Sequence, residues 1–246
     1  MELVRNYHLP SFRSSFDFIE SLKIRLSPRF FTYYPSHNIS IKTKNYELKS
    51  ANNLSELISV FKLRYNNFLE DNTNALGAYD IDMYDHICDH LIIKCRYSDE
   101  IVGTYRILCS RYTSSFYSEN EFVLNDFLKE DGVKLELGRV CIDPAHRNGS
   151  VIDLLWKGIG EYAKVTKAKY LFGCSSIKTI DANKAKGIYE SFTASGDLSY
   201  EFDIYTTDKY TMKLSDVSQQ SDHRDDFIIP SLLKSYFSAG AKVYGR

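Results

Sequence analysis

The stretch that most constrains this chain is LELGRVCIDPAHRNGSVIDLLWKGIGEYAK, residues 135–164. Leu135 to Asp143 is an apolar run that reads as a strand. Asp143 to Ser150 is a turn built on Asp-Pro, His-Arg and Asn-Gly, and an amphipathic helix follows from Val151 to about Thr166. Val151, Ile152, Leu154, Leu155, Ile159, Tyr162 and Ala163 make a wide apolar stripe, which lays that helix on a sheet. Ser150 is expected to cap it, with Asp153 in the capping-box position. The first helical turn leaves backbone N–H groups over, Asn148-Gly149 lets the backbone approach closely, and Arg147 stands alongside. Such a turn suits an anion or amide as well as an ordinary helix start.

Charge on the strand narrows the reading. Glu136 and Arg139 bracket a glycine in a run otherwise fit for burial, where charges are costly unless paired or used. A structural Glu–Arg pair and a catalytic role both fit. Upstream, YDIDMYDHICDH concentrates Asp80, Asp82, Asp85 and Asp89 near His86 and His90. That spacing matches neither an EF-hand loop nor a zinc motif, so a metal is not expected. A cationic amine or a solvated acidic loop both remain open.

The rest of the chain supplies an α/β frame. The main domain is expected over 46–246, beginning with a strand at Tyr46 to Lys49. Asn52 or Asn53 then caps a helix with the stripe Leu54, Leu57, Ile58, Phe61, Tyr65 and Phe68. LIIKCRY and IVGTYRILCS read as a hairpin, KYLFGC as a strand and DANKAKGIYESF as a helix with Asp181 near its start. YEFDIY and YTMKL read as strands, and Pro230 and Gly240 bracket a last helix. Strands and helices alternate around an early hairpin, which predicts a mixed sheet. Residues 1–45 differ: they hold three of the five prolines, and Phe12, Phe16, Ile19, Leu22 and Leu26 recur at helical spacing. They read as an aromatic, helical arm that packs on the domain or offers a weak membrane-surface helix.

Composition sets the outer bounds. A formal net charge of −1 gives no pull towards nucleic acid. Five dispersed cysteines without a Cys-x-x-Cys pair argue for buried thiols in a reducing compartment rather than a disulfide framework. The N-terminal residues lack the apolar core of a secretory signal, and no run of about 18 apolar residues occurs. The expected location is cytoplasmic, with a peripheral place at the inner membrane surface allowed.

Together, LRYNNFLED (63–71), YDHICDHLII (84–93), VGTYRIL (102–108), residues 135–162, YLFGCSSI (170–177) and, more weakly, IPSLLKSYFSAGAKV (229–243) resemble the N-acyltransferases of bacterial ornithine-lipid synthesis. These are a GNAT-superfamily branch related to acyl-homoserine lactone synthases. The resemblance implies a mostly antiparallel central sheet flanked by helices, with a splayed strand pair that admits a pantetheine arm. It implies donor contacts at Val140, Cys141, Ile142, Arg147, Asn148, Gly149, Ser150 and Val151. Because this turn is poorer in glycine than in acetyl-CoA enzymes, it fits one phosphate, so acyl carrier protein is the favoured donor, with acyl-CoA second. No tightly bound cofactor is implied.

The implied chemistry is amide formation. Glu136 is the candidate general base, Arg139 positions it or a substrate carboxylate, and Tyr189 stands where many GNAT enzymes keep a general acid. Asp80, Asp82 and Asp85 would receive the cationic amine or order their loop, with Asp89, His90 and Arg106 behind them. The leading product is an N-acyl amino acid, such as one from ornithine. An acyl-homoserine-lactone-type synthase and a catalytically idle binding module are the alternatives. The family pattern carries a further strand after the segment matching AKVYGR, where this sequence ends, and the first 45 residues have no clear counterpart in it.

Overall fold

The computed structural model describes residues 30, 32–68, 79–177, 179, 181–211 and 229–245. The chain divides into two compact units, one of residues 1–113 and 133–169, the other of 114–132 and 170–246. The amphipathic stripe of Phe12 to Leu26 lies outside the described residues.

In the first unit, β1 (Ser40–Lys42), β2 (Tyr46–Ser50), β3 (Asp89–Cys95), β4 (Ile101–Cys109) and β6 (Val133–Ile142) pair antiparallel in the order β1-β2-β3-β4-β6. The expected hairpin is β3–β4. Helix α1 (Leu54–Phe68) covers one sheet face and α3 (Ser150–Thr166) the other. Strand alternation decides which side chain goes where. Leu91, Ile93, Tyr105, Ile107 and Leu135 face α3 and join Leu48, Val151, Leu154, Leu155, Ile159 and Tyr162 in one core. Ile92 faces α1 and packs with Leu57, Val60, Phe61, Phe30 and Tyr33. Asn53 Oδ1 accepts from the Glu56 amide, so the asparagine cap of α1 forms as its sequence predicts.

Of the expected arm, residues 1–29 and 31 lie outside the described residues. Phe30 and Tyr33 are buried against α1, and β1 is a strand of the sheet. Apolar side chains this close to the first strand gain more by burial than by projecting into water.

Strand β7 (Ala168–Phe172) carries the chain into the second unit. There β5 (Phe122–Val123) pairs with β8 (Tyr205–Thr206), so YEFDIY contributes only its end to a strand. Residues 212–214 of YTMKL lie outside the described residues, and Tyr210 ends a short helical turn. The second unit also holds α2 (Asn125–Lys129), α4 (Ala182–Ser195) and α5 (Ser231–Ser238). Asp181 caps α4 through the Asn183 and Lys184 amides, and Pro230 and Gly240 bracket α5 as expected. Two apolar clusters organise the unit, one around Leu124, Phe127 and Ile204, the other around Ile188, Phe192 and Leu233.

Candidate active site

The α1 face of the sheet carries the charged residues. Arg106 stands opposite Gly138, and Leu108 opposite Glu136, so Glu136 and Arg106 project to the same side two residues apart along the strands. His90, paired with Arg106 on the next strand, joins them. Glu136 is 3% exposed. The Arg106 guanidinium lies beside Gly138 of β6, at ordinary contact distance (3.9 Å to Nε) from where a Cβ would stand.

A bulge aims Arg139. Thr104 pairs with Cys141 and Arg106 with Gly138, so Arg139 and Val140 together oppose Tyr105 alone. Arg139 takes the left-handed conformation, φ 52°, and its guanidinium reaches Asp80 and Asp82 at 3.4 Å each. A β-branched residue would resist that backbone; the extra residue also leaves part of β6 outside the ladder, where backbone N–H groups can serve a ligand.

The acidic loop is matched, charge for charge, by three arginines. Arg64 on α1 donates to Asp80 through Nε (2.8 Å) and to both oxygens of Asp85 (2.7 and 3.1 Å). Arg106 donates to both Asp82 oxygens at 2.7 Å and to Asp85 at 3.3 Å. Asp82 caps the turn Met83–His86 at the Tyr84 amide, and Asp85 accepts in return from the Asp82 amide. Burial by itself would raise the Asp85 pKa, but Arg64 and Arg106 outweigh it and hold the carboxyl far below its ordinary range. Burial would likewise lower Arg64, and Asp85 with Asp80 reverses it.

The three aspartates expected to receive an amine or order the loop differ in exposure. Asp85 and Arg64 have no exposed side-chain surface, whereas the side chains of Asp82 and Arg139 are 23% and 22% exposed. The buried pair ties the loop to α1, and Asp82 and Arg139 form the outer end of the network. Asp89 faces the opposite side of the sheet, where it accepts from the Ser36 and His37 amides and the Tyr162 hydroxyl. Arg64, the hub of the network, was missed in the sequence because it sits as one basic residue in a helix rich in polar positions. Its place one residue before Tyr65 of the apolar stripe was the available signal.

Asp85, Cys88 and His90 bring one ligand atom each within 4.8 Å of one another. The donor set does not suit a metal ion: Asp85 Oδ1 already takes two guanidinium groups, which would repel a cation. His90 is held neutral, its pKa pushed down to about 3 by burial and by the two arginines against the opposing pull of Asp85. Its Nε2 stands 3.3 Å from Cys88 Sγ.

The turn after β6 leads into a helix start with a different cap from the one expected. Gly149, φ 85°, is the N-cap and has no side chain to offer, while Asn148 Oδ1 accepts from the Ser150 amide at 3.2 Å. Ser150 is the first helical residue and spends its hydroxyl on Asn148 Oδ1 (2.7 Å), so the Ser150–Asp153 capping box does not form. Arg147 is pinned by Asn67 Oδ1 (2.6 Å) and the Ile142 carbonyl (3.0 Å). His146 Nδ1 and the Tyr46 hydroxyl lie 3.0 Å apart, tying the turn to β2. Cys141 is buried, with its thiol pushed up to about 12 mainly by burial. Tyr189 sits on α4 in the second unit, its hydroxyl 3.2 Å from that of Tyr200.

Residues 63–157, from the end of α1 through the first half of α3, match the family described as the Acetyltransferase (GNAT) domain, so this stretch is similar to that family. Among curated relatives, a Rhizobium meliloti protein named L-ornithine N(alpha)-acyltransferase is 32% identical over 158 residues, 58% of this chain and 53% of that protein. The chain thus spans about half of that relative's length. A protein of the same name from Agrobacterium fabrum is 28% identical over 245 residues, covering 88% of this chain and 80% of its own. Among solved structures, the AHL synthase LasI aligns with this chain at a TM-score of 0.43 and 16% identity, over 65% of this chain and 79% of that one. No helix among the described residues is long and apolar enough to cross a membrane.

Proposed function

We propose that this chain transfers a fatty acyl group from a thioester to the amine of an amino acid such as ornithine, with acyl carrier protein as the favoured donor and an acyl-CoA as the second. The observation that carries the reading is the continuity of β6 and α3: Glu136 stands on the face shared with the arginine–aspartate network, the bulged Arg139 reaches that network, and the same strand runs on into a helix start whose N-cap is Gly149. The names of the curated relatives support the acceptor class.

In this reading the acceptor amine attacks the thioester carbonyl carbon, and the C–S bond breaks as the amide bond forms. Glu136 takes the proton the amine must lose. Backbone N–H groups beside the bulge hold the developing oxyanion. Arg139 and Asp82, the solvent-facing end of the network, take the carboxylate and ammonium of the amino acid. Val140, Cys141 and Ile142 pair with the pantetheine arm, and its phosphate rests on Arg147, Asn148, Gly149, Ser150 and Val151. The single pinned cation of that turn suits one phosphate, which favours a carrier protein over CoA. Peripheral contact with a membrane surface fits a lipid-like product.

The test is mass spectrometry of purified protein mixed with long-chain acyl-ACP or acyl-CoA and a pool of amino acids that includes ornithine, with Glu136→Gln in parallel. The expected result is an N-acyl amino acid formed from acyl-ACP and reduced about a hundredfold or more in the variant. No N-acylated product from either donor would overturn the reading.

A further inference from the structure

At the end of the sheet where β3 starts, the first unit carries a partly open cavity of about 330 Å³ between that strand end, the segment 32–36 and Tyr112. That volume accommodates a small organic molecule. Asp89 forms its polar floor and is 3% exposed. Its carboxylate accepts from the Ser36 amide at 2.9 Å, the His37 amide at 3.2 Å and the Tyr162 hydroxyl at 2.8 Å. All three donors are neutral. Asp80, Asp82 and Asp85 each meet a guanidinium group, whereas no lysine or arginine among the described residues pairs with Asp89. Burial lifts its pKa in spite of the three donors. A buried carboxylate left with uncompensated charge favours a positive group beside it.

The other walls define what kind of cation fits. Tyr33, Tyr34, Tyr112 and His86 line the cavity. Tyr34 is 70% and Tyr112 50% exposed, so these rings stand at the mouth. The Tyr112 hydroxyl is held 3.0 Å from His37 Nε2, and His86 stacks on Phe30 at 4.4 Å between centroids. Hard metal ions need several oxygen ligands, and one carboxylate already accepting three hydrogen bonds cannot supply them. An anion meets the wrong charge. Aromatic faces around one carboxylate attract an organic ammonium ion, through the ring quadrupoles and the carboxylate together.

We infer that this cavity binds a small organic ammonium ion, seated between the tyrosine rings with its charge towards Asp89. The Asp89 side chain projects to the opposite face of the sheet from Glu136, and the inference stands independently of the acyl-transfer reading.

The probes are tetramethylammonium and 1,4-diaminobutane, titrated into the full chain while the amide resonances of Ser36 and His37 are followed by NMR, with tert-butanol as the uncharged match in shape. Saturable shifts from either ammonium compound, absent with tert-butanol, are expected, and the better probe tells a methylated from a primary amine. Tyr34→Ala, at an exposed position, should weaken binding at least fivefold, while Tyr97→Ala, 76% exposed on the β3–β4 turn, should leave it unchanged. Equal shifts from tert-butanol, saturation by neither ammonium compound, or an unaltered affinity in Tyr34→Ala would overturn the inference.

Discussion

Asp85 and Arg64 meet at both carboxylate oxygens, 2.7 and 3.1 Å, with neither side chain reaching solvent. This pair fixes the loop 79–86 to α1, and through the Asp82 amide it fixes the turn whose cap is Asp82 itself. Removing Asp85 leaves the fully buried Arg64 guanidinium with Asp80 as its one remaining carboxylate and takes away one of the two carboxylates that meet Arg106. Asp85→Ala should therefore cost about 3–5 kcal/mol of stability. Asp82→Ala removes a helix-turn cap and a partly exposed ion pair and should cost only about 1–2 kcal/mol, with the larger effect on activity. Urea unfolding of both variants checks the order; equal losses would contradict the division into an inner, structural end and an outer, substrate-facing end.

His90 sets a pH dependence of stability. Its folded pKa of about 3 lies below the ordinary histidine value near 6.5, so below that value the unfolded chain binds a proton that the folded chain refuses. Stability contributed by the neutral ring is fully present above pH 6.5 and is lost as pH falls from there towards 3. The slope is about 1.4 kcal/mol per pH unit, so about 2 kcal/mol should disappear between pH 7 and pH 5. Thermal melts across that range should show the decline, and His90→Gln should flatten it even if its absolute stability is lower. A wild-type profile flat from pH 7 to 5 would rule out a neutral buried ring.

The two glycines of α3 should respond in opposite directions. A Cβ on Gly158 would overlap the isobutyl group of Leu48, which is fully buried in the sheet core and has no room to turn aside. Gly158→Ala should destabilise by about 1–3 kcal/mol. Gly160 has nothing within 4 Å of an added Cβ, and alanine there should gain up to about 1 kcal/mol from helix propensity. Differential scanning calorimetry of the pair separates packing from propensity, because both changes are chemically identical and sit half a turn apart.

These residues also mark what the sequence could and could not reveal. The stripe of α3, the cap at Asn53, the cap at Asp181 and the Pro230–Gly240 bracket depend on neighbours within a few positions, and local pattern carries them. Glu136 and Arg139 stand out in the sequence because charge in an apolar run is costly, but that Arg139 meets Asp80 and Asp82 was not legible there. The partition of the aspartates was not, since it depends on Arg64, 16 and 21 positions away from Asp80 and Asp85, meeting them in space. The cap of α3 was misplaced by one residue because Ser150 found a side-chain partner in Asn148 while Gly149 supplied the left-handed backbone. Asp89 was grouped with its neighbours by sequence, yet strand alternation turns it to the other face.

Arg139 separates stability from activity most sharply. Its backbone holds φ 52°, a conformation costing a non-glycine residue about 1–2 kcal/mol, while its ion pairs to Asp80 and Asp82 are long and partly exposed. Glycine relieves the first and removes the second, so Arg139→Gly should change stability by no more than about 1 kcal/mol. The acceptor's carboxylate, by contrast, would lose a charged partner, and a charge-assisted hydrogen bond is worth about 1.5–3 kcal/mol. The apparent KM for the amino acid should rise roughly tenfold to a hundredfold, with the KM for the acyl donor unchanged. Arg139→Lys keeps the charge but not the forked geometry and should recover only part of the loss. Steady-state kinetics with each substrate varied in turn checks the split. A rise confined to the donor KM would move Arg139 from the amino-acid end of the site to the thioester end.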